Sequence, residues 1–160
     1  MGILMARVDE RLIHGQVALS WLKTYDADIV IVIDNESAND EMKTMLLEMA
    51  VSGRLQCIVC TEEDAVQVIT EHQNSSLFLC TKKPQIFSYL LDNGISIKDV
   101  NIGGIYNAEG RKQLYKTIFI DDELKNAIIR IGEFPNVKVE YRMLPQDNPV
   151  DIIADLKKHS

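Results

Sequence analysis

Six residues, Asp28–Ile33 (DIVIVI), constrain the fold more than any other stretch. The run Ile29–Ile33 is β-branched throughout and has no polar face, so a strand built from it must be covered on both sides. Comparable runs recur at Ile3–Val8, Leu55–Cys60, Ser76–Cys80, Asp99–Ile102, Thr117–Ile120 and Val137–Tyr141. Helix-spaced patterns separate them. Gly15–Lys23 carries Val17 and Trp21 on one face. Thr61, with Asp64 three residues on, resembles a capping box for a helix to about Glu71. Pro84 opens the next helix near its first turn. A helix with Leu124, Ile128 and Ile131 follows, and Asn148-Pro149 caps a closing helix holding Val150, Ile153 and Leu156. This alternation predicts right-handed βαβ units. The expected class is α/β: an open, mostly parallel, twisted sheet of about seven strands with helices on both faces. Met42, Met45, Leu46 and Met49 recur at i, i+3, i+4, i+7. Methionine can form an adaptable binding face, but so narrow a stripe is expected to pack in the core.

At 160 residues the chain has the length of one domain, 1–160, large enough to fold without a disulfide or metal. Its formal charge of −7 repels phosphate backbones, so no nucleic acid partner is expected; charge alone would not dock it on anionic lipid either. No apolar stretch has the length to span a bilayer. The opening MGILMARVDER passes from a short apolar run straight to charges, unlike a signal peptide. Ala6 stands where a myristoylation motif wants Ser or Thr. The expectation is a soluble intracellular protein whose three cysteines stay thiols.

Open parallel sheets bind ligands beyond the carboxyl ends of their strands. The stretch DERLIHGQV, residues 9–17, lies at such an end. Gly15 lets the backbone turn tightly beside His14. With Gln16 it opens a helix, whose first N–H groups and positive dipole end suit an anion. Arg7 and Arg11 add guanidinium forks that match phosphoryl oxygens. A neutral imidazole is a nucleophile. His14 can therefore take a phosphoryl group while Asp9 or Glu10 holds the proton of its other ring nitrogen. The pattern alone also admits His14 as a polar residue at a helix start, bonded to a neighbouring carbonyl. Asp9 likewise admits a second role, capping the turn through its own backbone.

Three segments resemble one family, in order, along nearly the whole chain. ARVDERLIHGQV, residues 6–17, is similar to the signature of the IIB components of the bacterial sugar phosphotransferase system, mannose/fructose/sorbose class. Asp34–Ala50 (DNESANDEMKTMLLEMA) resembles the family's NDEVANDE segment and the helix behind it. Val100–Ile118 (VNIGGIYNAEGRKQLYKTI) resembles its NVGG loop and KT strand. Two departures stand out: Asp34-Asn35 where the family usually has Asn-Asp, and Val51-Ser52-Gly53 where it often has an alanine-proline helix end. The resemblance implies a phosphocarrier. His14 would accept a phosphoryl group, on Nδ1, from a histidine of a IIA partner and pass it to a sugar held by membrane-embedded IIC and IID partners. Arg11 would neutralise the phosphoryl oxygens. The resemblance further implies a cytoplasmic protein held at the inner face of the membrane through IIC and IID, with no cofactor and no metal. It leaves the sugar, and whether the chain forms a homo-oligomer, open.

Other candidates carry less. Gly103-Gly104 can bring a second backbone loop to the phosphate, or simply turn after a strand. Cys57-Ile58-Val59-Cys60 has C-x-x-C spacing. Inside a strand, residues three apart face opposite sides, so packed cysteines are expected and not a redox or zinc pair. Cys80 is expected to be buried, and His72, His159 and Lys82-Lys83 to be solvated. The fingerprint G-x-G-x-x-G is absent after the first strand. That weakens a dinucleotide-binding reading. The second reading is a non-catalytic α/β module binding an anionic ligand or nucleotide in the same crevice.

Overall fold

The computed structural model describes residues 2–51 and 53–158. The strands are β1 Gly2–Asp9, β2 Ile29–Ile33, β3 Gln56–Cys60, β4 Ser76–Thr81, β5 Asp99–Gly104, β6 Lys112–Tyr115, β7 Ile118–Ile120 and β8 Lys138–Tyr141. The helices are α1 Gly15–Tyr25, α2 Asn35–Ala38, α3 Glu41–Ala50, α4 Ala65–Glu71, α5 Gln85–Asp92, α6 Asp122–Gly132 and α7 Ile152–Lys158. Six strands form one parallel sheet in the order β3-β2-β4-β1-β5-β8. Every residue of β2 is buried, as its composition requires. Ile29, Ile31 and Ile33 enter one core with α4 to α7. Val30 and Val32 enter a second core with Trp21 and Leu22 of α1. The expected α/β class with helices on both faces is therefore present.

Three expectations need correction. The sheet has six strands, because the segment around Thr117–Ile120 leaves it. There β7 pairs antiparallel with β6, a short and largely hydrophilic strand that the alternation of apolar runs did not flag. Second, the methionine stripe is not core. Met42, Met45, Leu46 and Met49 are 66%, 51%, 59% and 71% exposed, and α3 buries none of its residues fully. Leu47 and Val51 meet the second core in their place. Spacing shows that residues share a face; it does not show which face turns inward. Third, Val150 precedes α7, exchanging backbone hydrogen bonds with Tyr141. Asp151, not Asn148-Pro149, caps that helix, its Oδ1 accepting from the Ala154 N–H at 3.1 Å.

The smaller side-chain expectations divide. Thr61 Oγ1 accepts from the Asp64 N–H at 3.2 Å, as half of the expected capping box. His72 is half-buried, with Nδ1 2.8 Å from the Val68 carbonyl, so it is not a solvated histidine. Lys82 is half-buried and pairs with Asp34 and Glu36, whereas Lys83 is exposed, as expected, with Glu62 beside it. His159 lies outside the described residues. Cys57 packs against the second core and Cys60 lies in the first, so the two thiols do face opposite sides of β3. No helix among the described residues is long and apolar enough to cross a membrane.

Met45→Lys should change stability by less than about 0.5 kcal/mol. Ile31→Ala, in the middle of the sheet, should cost roughly 3 kcal/mol. Urea midpoints check both. Burial pushes the Cys57 thiol up to about 11 and those of Cys60 and Cys80 to about 12. The folded state therefore holds these protons more tightly than the unfolded chain, where a thiol titrates near about 8.5. Their contribution to stability should be complete below that pH and decline as pH rises toward 11–12. Thiol reagents at pH 8 should label the native protein slowly and the urea-unfolded protein at once.

Candidate phosphoryl-transfer site

The chain leaves β1 toward α1 on one face of the sheet. The neighbouring strands β4 and β5 feed α5 and the β6–β7 hairpin with α6, which cover the other face. Such divergence opens a crevice at the carboxyl ends of the strands, here directly above β1. The loop after β1 is pinned there by its own apolar residues: Leu12 and Ile13 are buried in the second core. Leu12 takes a left-handed φ of 57° to enter it. Arg11, His14, Gly15 and Gln16 stay exposed at the rim. Gly15 has φ 66°, and an added Cβ would meet open space, so the backbone angle alone requires glycine.

His14 is extended, at φ −142° and ψ 120°, immediately before α1, and its side chain does not cap the helix. Its ring makes no hydrogen bond or ion pair with the described residues. The alternative of a histidine bonded to a neighbouring carbonyl therefore falls. The first turn of α1 carries no acidic side chain. The exposed imidazole thus stands beside uncapped helical N–H groups.

Beneath the loop lies a polar network inside the second face of the sheet. Arg7 is buried; its Nη1 donates to Asp9 Oδ2 at 2.8 Å and its Nε to Asn101 Oδ1 at 3.1 Å. The guanidinium sits 5.3 Å from the Trp21 ring centroid, and Arg142 lies 5.0 Å from the same ring. Trp21 Nε1 donates to the Met143 carbonyl at 2.9 Å. Asp9 Oδ1 accepts from the Arg11 N–H at 2.9 Å and the Tyr106 hydroxyl at 3.3 Å. A second tie crosses the crevice. Glu10 Oε1 accepts from the Tyr106 N–H at 2.7 Å and from Arg111 Nη1 at 3.0 Å, while Arg111 Nη2 lies 2.9 Å from Glu10 Oε2. The Arg11 guanidinium rests over the Tyr106 ring, 4.3 Å from its centroid. Burial, then the charge of Asp9, raises the Tyr106 hydroxyl above its ordinary pKa.

Residues 3–160 match the family of PTS system sorbose subfamily IIB components. The chain belongs to that family. Similar proteins include the fructose-specific EIIB component of Bacillus subtilis (strain 168), 31% identical over 159 residues, covering 98% of this chain and 97% of that one. The sorbose-specific EIIB component of Klebsiella pneumoniae is 32% identical over 160 residues, covering 99% and 97%. The crystal structure of the IIBSor domain of the sorbose permease from Klebsiella pneumoniae superposes with a TM-score of 0.93 at 30% identity, covering 100% and 99% of the two chains.

This chain is thus a sugar-specific IIB component of the phosphotransferase system, and its site differs in detail from the sequence expectation. His14, Arg11, Gly15 and Gln16 are exposed at the rim. Arg7 does not join them; it is committed to Asp9 and Asn101 below. Asp9 takes the turn-building alternative and makes no hydrogen bond to His14. Gly103 and Gly104 are glycines for packing. A Cβ at Gly103 would lie 2.5 Å from Arg7 Nη2, and one at Gly104 would lie 2.4 Å from the Tyr106 hydroxyl and 2.8 Å from Asp9 Oδ1. Sequence reasoning missed Asn101, Tyr106 and Arg111. Their only signal was position, within or just beyond the NIGG segment; nothing in residue order says that Arg111 meets Glu10 across 101 positions.

Arg7→Met should leave Asp9 buried without its cation and cost about 3 kcal/mol. For a IIB component of this size that lowers Tm by roughly 10 °C. Gly103→Ala should destabilise through the same pair, by about 1–3 kcal/mol. Calorimetry of both variants, and of Gln16→Ala as an exposed rim control, checks the assignment.

Proposed function

We propose that this IIB component is a phosphocarrier that accepts a phosphoryl group on His14 from a IIA partner and transfers it to a sugar bound by membrane IIC and IID partners. The observation that carries this reading is the exposed imidazole at the crevice mouth, without a partner among the described residues, between Arg11 and the start of α1. The neutral ring attacks phosphorus with the lone pair of one nitrogen, Nδ1 by analogy with the family, while the other nitrogen keeps its proton. The N–P bond of the donor phosphohistidine breaks as the new one forms, and the donor ring keeps the electron pair. In the second step a sugar hydroxyl attacks phosphorus and releases its proton to solvent, and His14 departs as the neutral imidazole with the N–P electrons.

Phosphoryl transfer demands alignment and charge stabilisation more than covalent help from the protein. Arg11 supplies the mobile positive charge, and the N–H groups of Gly15 and Gln16 supply fixed dipoles. Arg7, Asp9, Gly103 and Gly104 act through the loop by holding its shape. Docking of the IIA partner uses the surface around residues 9–16, because both histidines must reach one phosphorus. The site of action is the cytoplasmic face of the membrane, where IIC and IID would present the sugar.

Incubation with phosphoenolpyruvate, the general phosphocarrier proteins and a matching IIA should give an acid-labile, base-stable phosphoryl adduct on His14. His14→Ala should give none. Reversible nucleotide binding without any adduct would overturn the reading. Arg11→Ala should slow transfer on the order of 100-fold while leaving Tm nearly unchanged, since its side chain is exposed. Quenched-flow transfer rates and calorimetry on the same samples separate the two effects.

A further inference from the structure

Two carboxylates and an exposed guanidinium share the loop that carries His14, yet they do not pair with one another. Asp9 is taken by Arg7, and Glu10 by Arg111. Arg11 has no carboxylate partner among the described residues. Its guanidinium lies on the face of Tyr106. An aromatic face holds a cation through its quadrupole without cancelling the charge. It also narrows the rotamers that an exposed arginine would otherwise sample, each of which must be frozen when the side chain closes on an anion.

We propose that Tyr106 is a positioning residue for phosphoryl transfer, stationing the Arg11 guanidinium on its ring where that group reaches a phosphoryl group on His14. The inference rests on the phosphocarrier reading given above. Tyr106 is restrained well beyond what a loop residue needs. Its N–H donates to Glu10 at 2.7 Å, its carbonyl accepts from Arg111 Nη1 at 2.7 Å, and its hydroxyl donates to Asp9 at 3.3 Å. Gly104 lacks the Cβ that would collide with that hydroxyl. The backbone of Tyr106 is thus tied on both sides and its ring through the hydroxyl, and the ring face carries the guanidinium of Arg11, an exposed residue three positions before His14. The contact is weak enough to release Arg11 when a dianion offers a stronger partner.

The test compares Tyr106→Phe, Tyr106→Leu, Arg11→Ala and the Arg11→Ala/Tyr106→Leu double variant in transfer from phosphorylated IIA. Tyr106→Phe keeps the ring and should stay within about twofold of the parent rate, and Tyr106→Leu should lose about fivefold. On the Arg11→Ala background, Tyr106→Leu should cost nothing more, because the residue it positions is gone. In the parent protein, NMR should show the Arg11 side-chain protons displaced upfield by the ring current. That measurement decides the question even if Tyr106→Leu does not fold. Unshifted Arg11 protons, or losses that multiply in the double variant, would overturn the inference alone. Absence of any adduct on His14 in the parent protein would overturn the phosphocarrier reading, and this inference with it.

Discussion

The buried pair between Arg7 and Asp9 governs the rest of the site. Two charges taken out of water are costly unless each finds its full set of partners. Arg7 also donates to Asn101 and lies against Trp21, and Asp9 also accepts from the Arg11 N–H and the Tyr106 hydroxyl. A well-packed apolar pair at these positions would support the sheet as well. What it would not do is specify the turn, because Asp9 is both the end of β1 and the acceptor that shapes the first residues of the loop. The glycines of β5 follow from this. Gly103 exists to admit the Arg7 guanidinium, and Gly104 to admit the Tyr106 hydroxyl beside Asp9.

From that anchor the site is built outward in layers. The ion pair holds the root of the loop, Leu12 and Ile13 hold its middle in the second core, and the clasp of Glu10 with Tyr106 and Arg111 closes it against the segment after β5. Each layer leaves fewer degrees of freedom for Arg11 and His14, which remain exposed above them. This suits the proposed phosphocarrier, which would meet two different partners. Rigidity is supplied from within the sheet, so the rim itself needs no permanent contacts that a docking protein would first have to break.

Legibility followed the range of the interactions. β2 was plain because five apolar residues admit few alternatives, and Trp21 was placed by its spacing along α1. The exposed loop of the candidate site was also legible, since strand–helix alternation dictates which strand ends can hold a ligand. The stripe on α3 misled, because the helix is apolar on more than one side and period alone cannot choose which side meets the sheet. The roles of Arg7 and Asp9 were read outward into the crevice, when the side chains turn inward beneath the loop. Tyr106 and Arg111 were unreadable for a different reason: their shared partner Glu10 lies 96 and 101 positions away.

The order of residues by itself determined the class of fold, the exposed loop after the first strand and the candidate nucleophile on it. These depend on local periodicity, on turn chemistry and on motifs contiguous in the chain. Only the tertiary structure decided which charges are structural and which remain available at the rim. That division depends on burial and on pairing across strands, and neither is encoded locally: a guanidinium four residues from another can be sealed under the sheet while its neighbour lies on a tyrosine in solvent.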